Sequence, residues 1–377
     1  MNFFKYIANN KLFPMQFYKV LILIIIILII IKHIVLAKVS GPCSNCHTMH
    51  YSQSGTIEPY WGKEGPYQNL LINNCVGCHS AGNPSTWKDP ITGAPIVYNT
   101  AEPTYGFYYT AGGKYEGLAG GNFYYVTQGD IYGHNVVDIP GVEKDSLNGQ
   151  HPPGTLEGKN CGCCHTSNLL TPGILGYSGC EFCHNDKHHA DDTGPVVNGT
   201  GGWYRFLNFH TFHSSTFQPM GFEGVEGIED PNWECNPDSF THNEYPGGGN
   251  YEHSISLFCA VCHGSFYEYE KSGSSWYHHP TDYAIPNSGE YADAFGANGT
   301  GIGTWDPMVP VARPYSNLES MTGPDQNVYI GIDMVQCLSC HRAHASPYPS
   351  ILRWDYNACL NGQANSCGCF VCHTEKD

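Results

Sequence analysis

The chain has 377 residues and sets 17 basic against 34 acidic side chains, a formal net charge of −17. That balance argues against nucleic acid or an anionic membrane surface as a partner, and it equally suits solubility outside a cell. With 44 Gly and 25 Pro, no long amphipathic helical pattern survives, and side chains alone would struggle to bury one continuous core.

Residues 1–37 read as a secretory signal peptide. Lys5, Lys11 and Lys19 precede the apolar run Val20–Ile31, Lys32 and His33 interrupt it, and Val35 and Ala37 are the small residues of a cleavage site. A membrane span needs roughly 18 or more consecutive apolar residues. An uncleaved anchor, with Ile34–Ala37 extending the run, is therefore the second reading. Cleavage removes four of the 17 basic residues and none of the acidic ones, leaving about 340 residues with a formal charge of −21 and no membrane segment.

The pattern C-x-x-C-H then recurs seven times. In chain order the pairs and their histidines are Cys43, Cys46 and His47; Cys75, Cys78 and His79; Cys161, Cys164 and His165; and Cys180, Cys183 and His184. Three more follow: Cys259, Cys262 and His263; Cys337, Cys340 and His341; and Cys369, Cys372 and His373. This is the signature of covalent c-type haem attachment. Two cysteines at this spacing bring both sulfurs to the porphyrin edge, and the next residue falls beneath the iron as its proximal ligand. Zinc would need paired C-x-x-C units closing four-coordinate sites, and neither zinc nor disulfides explain a histidine after every pair. Seven covalently bound haem c groups are the expected cofactors.

The motifs divide the mature chain into a two-haem region at 38–150, a central two-haem region at 151–232 and a three-haem region at 233–377. At roughly 49 residues per haem, the expected fold is a loop-rich multihaem cytochrome c with short α-helices and few short β-strands. Its core would be formed by stacked haems. The 26 Tyr and seven Trp are packing for porphyrins and loops rather than electron stepping stones. Four cysteines remain. Cys359 and Cys367 are close enough for a small disulfide loop in an oxidising compartment, and Cys163 with Cys235 is a weaker second pair.

An open sixth iron position supports catalysis, whereas a second protein ligand favours outer-sphere electron transfer. After the seven proximal histidines and His33, twelve histidines remain for seven vacancies, with five methionines in the mature chain. Bis-histidine ligation throughout is the economical reading. His134 in "YGHNVVDI", His279 before a proline, His344 ending "CHRAH" and His253 just ahead of Cys259 are the favoured distal ligands. At least one of His188 and His189 joins them, with His151, His210, His213 and His242 in reserve. His50 sits one turn from His47, beside the proximal face of its own haem, so it must serve a different iron.

"CSNCHTMHYSQ", "GHNVVDI" and above all "CLSCHRAHAS" with the terminal "CFVCHTEKD" resemble the filament-forming extracellular cytochromes of metal-reducing bacteria, of the hexahaem nanowire type. The resemblance covers both ends well and the middle poorly. This chain has a seventh motif, and 151–232 is where it departs most. The resemblance implies bis-His haems stacked continuously through a head-to-tail polymer of identical subunits. It makes His134 and His344 distal ligands, fits His279 more loosely, and gives His50 to a haem of the neighbouring subunit. The expectation is a secreted, extracellular or cell-surface electron conduit that is not an enzyme, with other cytochromes or extracellular acceptors as partners. A multihaem reductase of nitrite, hydroxylamine or sulfur oxyanions and a monomeric periplasmic shuttle are the competing readings. The reductase would need an open or lysine-ligated haem with basic residues to hold its anion.

Overall fold

The computed structural model describes residues 42–50, 70, 75–105, 117–142, 153–154, 179–184, 188, 207, 225, 227–248, 254–267, 278–363 and 367–375. The signal segment, the third attachment motif with Cys163, and His151, His189, His210, His213 and His253 lie outside them. Among the described residues no helix is long and apolar enough to cross a membrane.

Regular structure is short throughout, as the glycine and proline content requires. Strands β1 (Ser80–Ala81) and β2 (Tyr98–Asn99) pair in parallel. Strands β3 (Tyr245–Gly247), β4 (Tyr283–Ala284), β6 (Ala312–Pro314) and β8 (Met334–Val335) form a sheet in the order β3-β6-β8-β4. A separate antiparallel pair joins β5 (Ile302–Thr304) to β7 (Asn327–Tyr329). The α-helices among the described residues are α1 (Ile255–Tyr267), α2 (Tyr315–Leu318), α3 (Cys337–Cys340) and α4 (Cys369–Cys372).

Every described attachment motif is itself a helical turn. Three form 3-10 turns, at Cys43–Asn45, Cys75–Gly77 and Gly179–Phe182. The others lie in α1, α3 and α4. In five of them the histidine amide donates to the carbonyl of the first cysteine: His47 to Cys43 (2.7 Å), His79 to Cys75 (3.0 Å), His184 to Cys180 (2.9 Å), His341 to Cys337 (3.0 Å) and His373 to Cys369 (3.0 Å). One turn thus carries cysteines three apart on one side. The helix is then broken at the histidine: His341 is extended (φ −114°, ψ 157°), and His263 (φ −109°, ψ 37°) and His373 (φ −92°, ψ 66°) also leave helical geometry.

Among the described residues, apolar side chains gather in four separate clusters rather than one core. The largest contains Phe295, Trp305, Met308, Val311, Val328 and Trp354, with Cys340, Cys369 and Cys372 packed against it. A second surrounds Tyr245, Ile255 and Leu257, a third Val76, Phe123, Val126 and Ile139, and a fourth Tyr105, Leu118 and Cys235. Buried polar groups bind the clusters together. Arg353, 2% exposed, donates to the carbonyls of Met308, Leu338 and Pro307 at 3.1–3.3 Å. Arg342 donates to the carbonyls of Leu118 and Ala119 at 3.2 and 3.0 Å. Arg313 meets Glu244, Asp325 and Asp333 at 3.5, 3.3 and 3.3 Å; burial pushes the Asp333 carboxyl up to about 7, against the pull of Arg313. Cys359 and Cys367 form the expected disulfide, with Cα atoms 5.1 Å apart.

The 117–142 segment is clamped onto the chain near His344. Gly121 has φ +80°, and a Cβ there would strike the Ala345 carbonyl. Gly121→Ala combines a left-handed backbone with a backbone clash, and we expect it to lower stability by about 2–4 kcal/mol. Thermal unfolding of the haem-loaded protein measures that loss.

Candidate metal centres

Among the described residues, four pairs of histidine rings lie at nearly the same separation. Ring centroids are 6.2 Å apart for His79 and His188, 6.0 Å for His134 and His263, 5.9 Å for His184 and His344, and 6.3 Å for His279 and His373. Each pair sets one attachment-motif histidine against one histidine from outside the motifs. Three of the four join different sequence regions: 38–150 to 151–232, 38–150 to 233–377, and 151–232 to 233–377. Two imidazoles on opposite faces of one iron, with metal–nitrogen bonds of roughly 2 Å, have centres about 6 Å apart. The residues present therefore fit haem held by two histidines.

The Nδ1 contacts agree with that fit. Nδ1 donates to a backbone carbonyl in His79 (Pro95, 2.8 Å), His134 (Ala343, 2.7 Å), His263 (Pro153, 2.7 Å), His341 (Ser350, 2.8 Å) and His279 (Pro280, 3.0 Å). A carbonyl can only accept, so the proton is fixed on Nδ1 and the Nε2 lone pair is left for a metal. Burial reinforces the neutral form. It pushes His134 down to about 4 and His344 down to about 3, and lowers His79 and His341.

His134 and His344 are built as a unit. The His134 amide donates to the His344 carbonyl (3.0 Å), and the His344 amide donates to the Gly120 carbonyl (2.7 Å). The His344 ring lies against Phe123, with centroids 4.6 Å apart, and over Gly120, where a Cβ would touch the imidazole at 2.7 Å. Glycine is required there by the close approach of the ring.

The cysteines of different motifs also meet. The Cys75 and Cys180 sulfurs and the Asp138 carboxylate lie within 4.8 Å of one another, and Asp138 accepts from the Cys180 amide at 3.0 Å. The Cys259 and Cys337 thiols are hydrogen-bonded, and the Cys337 amide donates to Ser256 Oγ at 3.2 Å. Neither candidate ion cluster among the described residues can keep its donors. Thioether formation consumes Cys75 and Cys180, and the other cluster (Cys359, Cys367, Cys369) combines the disulfide with an attachment cysteine.

His242, held in reserve by the sequence, stands apart from the pairs. It is fully buried with its ring stacked on Trp305 at 3.9 Å, Nδ1 donating to the Asp238 carbonyl (2.9 Å) and Nε2 3.4 Å from Glu244. One ring face and Nδ1 are thus occupied by protein, while the buried Nε2 lies near Glu244 without a hydrogen bond. His50 is exposed, at the end of a turn in which Met49 (φ +46°) and His50 (φ +64°) are both left-handed. Such backbone is unusual for side chains of this size. Among the described residues, no histidine ring faces His47, His50 or His341. Glu290 was not legible in the sequence: it lies 83 residues before His373 yet touches that ring, with Nδ1–Oε1 at 3.2 Å.

Repeated C-x-x-C-H turns with histidines opposed at iron-spanning distance define a multihaem c-type cytochrome, with haem c covalently bound through its C-x-x-C-H cysteines. Residues 332–377 match the family model described as the doubled CXXCH motif. The chain is similar to the C-type cytochrome OmcS of Geobacter sulfurreducens, at 24% identity over 357 residues, covering 83% of this chain and 78% of that protein. Two solved structures are also similar. The outer membrane cytochrome S filament of the same organism matches at 19% identity and TM-score 0.45, over 85% of this chain and 84% of that one. The OmcS nanowires of the same organism match at 18% identity and TM-score 0.49, over 84% of each chain.

Proposed function

We propose that this chain is a secreted heptahaem electron conduit, polymerising head to tail for electron transfer outside the cell. The observation that carries it is the set of opposed histidines at 5.9–6.3 Å. An iron closed on both faces has no position for substrate and exchanges electrons through the porphyrin edge. The haem groups supply the one-electron chemistry; this chain's residues hold their faces shut, fix the ligand tautomers and space the rings. Similarity to a cytochrome whose solved structures are called filaments and nanowires supports the polymer.

In this reading His188, His263, His344 and His373 oppose His79, His134, His184 and His279 as axial pairs. His253 and His189, outside the described residues, remain candidates for the irons of His47 and His165. The iron of His341 takes His50 of the neighbouring subunit. His341 has its Nδ1 committed to Ser350, and no described histidine faces it. His50 is exposed, at the end of a left-handed turn three residues past its own motif histidine.

The cysteine contacts suggest the spatial order His79, His184, His263, His341, His373: Cys75 touches Cys180, Cys259 touches Cys337, and Cys340 packs in one cluster with Cys369 and Cys372. The three sequence regions then form a single haem-stacked unit. We expect intact mass to give seven haems per chain, and filament spectra to be low-spin in both oxidation states. Abundant high-spin iron in the filaments, or turnover of nitrite or sulfite by reduced protein, would contradict the conduit.

A further inference from the structure

The protein surroundings of His373 differ from those of five other iron-facing histidines, His79, His134, His263, His279 and His341. In those five Nδ1 donates to a neutral backbone carbonyl. In His373 it donates instead to a carboxylate, Glu290 Oε1, at 3.2 Å. Glu290 is itself held. Its carbonyl accepts from Thr374 Oγ1 at 2.6 Å, the residue after the ligand, and the Tyr291 ring meets His373 edge-on with centroids 5.3 Å apart. The Glu290 and His373 side chains are only 13% and 27% exposed, so solvent screens the pair weakly.

An imidazole that shares its Nδ1 proton with a carboxylate gains imidazolate character and donates more strongly through Nε2. That stabilises ferric over ferrous iron and lowers the reduction potential. A carbonyl acceptor does this less, because it carries no net charge. We infer that Glu290 is a positioning and tuning residue that makes the haem attached at Cys369 and Cys372 the most reducing of the described set. Electrons in the chain would therefore rest least on this C-terminal haem, which becomes a barrier step rather than a trap. The inference rests on His373 being an iron ligand, and it adds a ranking that bis-histidine closure alone does not supply.

Glu290→Gln keeps the size and an oxygen acceptor but removes the charge. In a spectroelectrochemical titration of the haem-loaded protein, we expect one of the resolved midpoints to rise by at least a tenfold change in the one-electron equilibrium, 59 mV. The others should stay in place, with haem number and low-spin spectra unchanged. A variant in which no midpoint moves, or in which all move together, overturns the tuning role. Loss of low-spin signal from wild-type protein would instead remove the ligand assignment itself. The wild-type protein offers a second test that needs no variant. One low-spin ferric signal should show the larger ligand-field splitting of a partly deprotonated imidazole, and it should disappear last on stepwise reduction; its disappearance among the first overturns the inference.

Discussion

Replacing His50 by alanine should leave all seven haems attached, convert one iron to high spin and abolish filaments. Attachment is unaffected because Cys43, Cys46 and His47 form their turn through the His47 amide and Cys43 carbonyl, without His50. Folding of the protomer should also be unaffected, since the exposed His50 side chain contributes little buried surface. In the proposed assembly, what disappears is a bond between subunits. A ligand supplied by a neighbour contributes to assembly at every junction, and weak surface contacts do not replace it. Electron microscopy reads the filaments and electron paramagnetic resonance the spin state. Added imidazole should return the low-spin signal without returning the filaments, because a free ligand closes the iron but joins nothing. Filaments that persist in His50→Ala would remove the inter-subunit role.

His344→Ala should give the reverse pattern: filaments retained, with a high-spin iron inside each protomer at the haem of His184. His344 faces His184 at 5.9 Å, stacks on Phe123 at 4.6 Å and is tied by its backbone to Gly120 and His134. The truncation removes a buried ring as well as a ligand, so a loss of about 2–4 kcal/mol in protomer stability is expected from the cavity alone. The affected haem exchanges a nitrogen donor for water or nothing, and its midpoint should rise above those of its closed neighbours. An electron arriving there is held, so conduction through the filament should fall steeply although its architecture survives. Uniformly low-spin His344→Ala protein would show that His184 has another partner.

The helical turns of the described C-x-x-C-H motifs follow from the sequence because the chemistry proposed for them is local. The two thioethers and the proximal ligand occupy positions i, i+3 and i+4 of one turn, and the histidine amides bonded to the first cysteine carbonyls show that turn directly. The Cys359–Cys367 disulfide was legible for the same reason, being a short loop. Gly and Pro content announced loops, but the strands themselves were not visible. Pieces of two or three residues are too short for alternation to register, and their pairing, such as β3 against β6, is decided by packing.

His134 and His344 stood out from their local context, yet nothing local says that one faces His263 and the other His184. Those pairings, the approach of His188 to His79, and the Glu290 contact to His373 are products of long-range folding. The backbone carbonyls that fix Nδ1 were equally invisible, since every residue has one. His242, held in reserve by the sequence, lies against Trp305 and Glu244.

The most direct test of the conduit is a cryo-electron-microscopy map of the secreted material. The account predicts a filament of identical subunits with seven haems per chain in an unbroken stack, every iron between two imidazoles, and His50 density reaching the haem of His341 in the next subunit. Isolated protomers, a gap in the stack, or an iron with an open face where His50 should lie would contradict it.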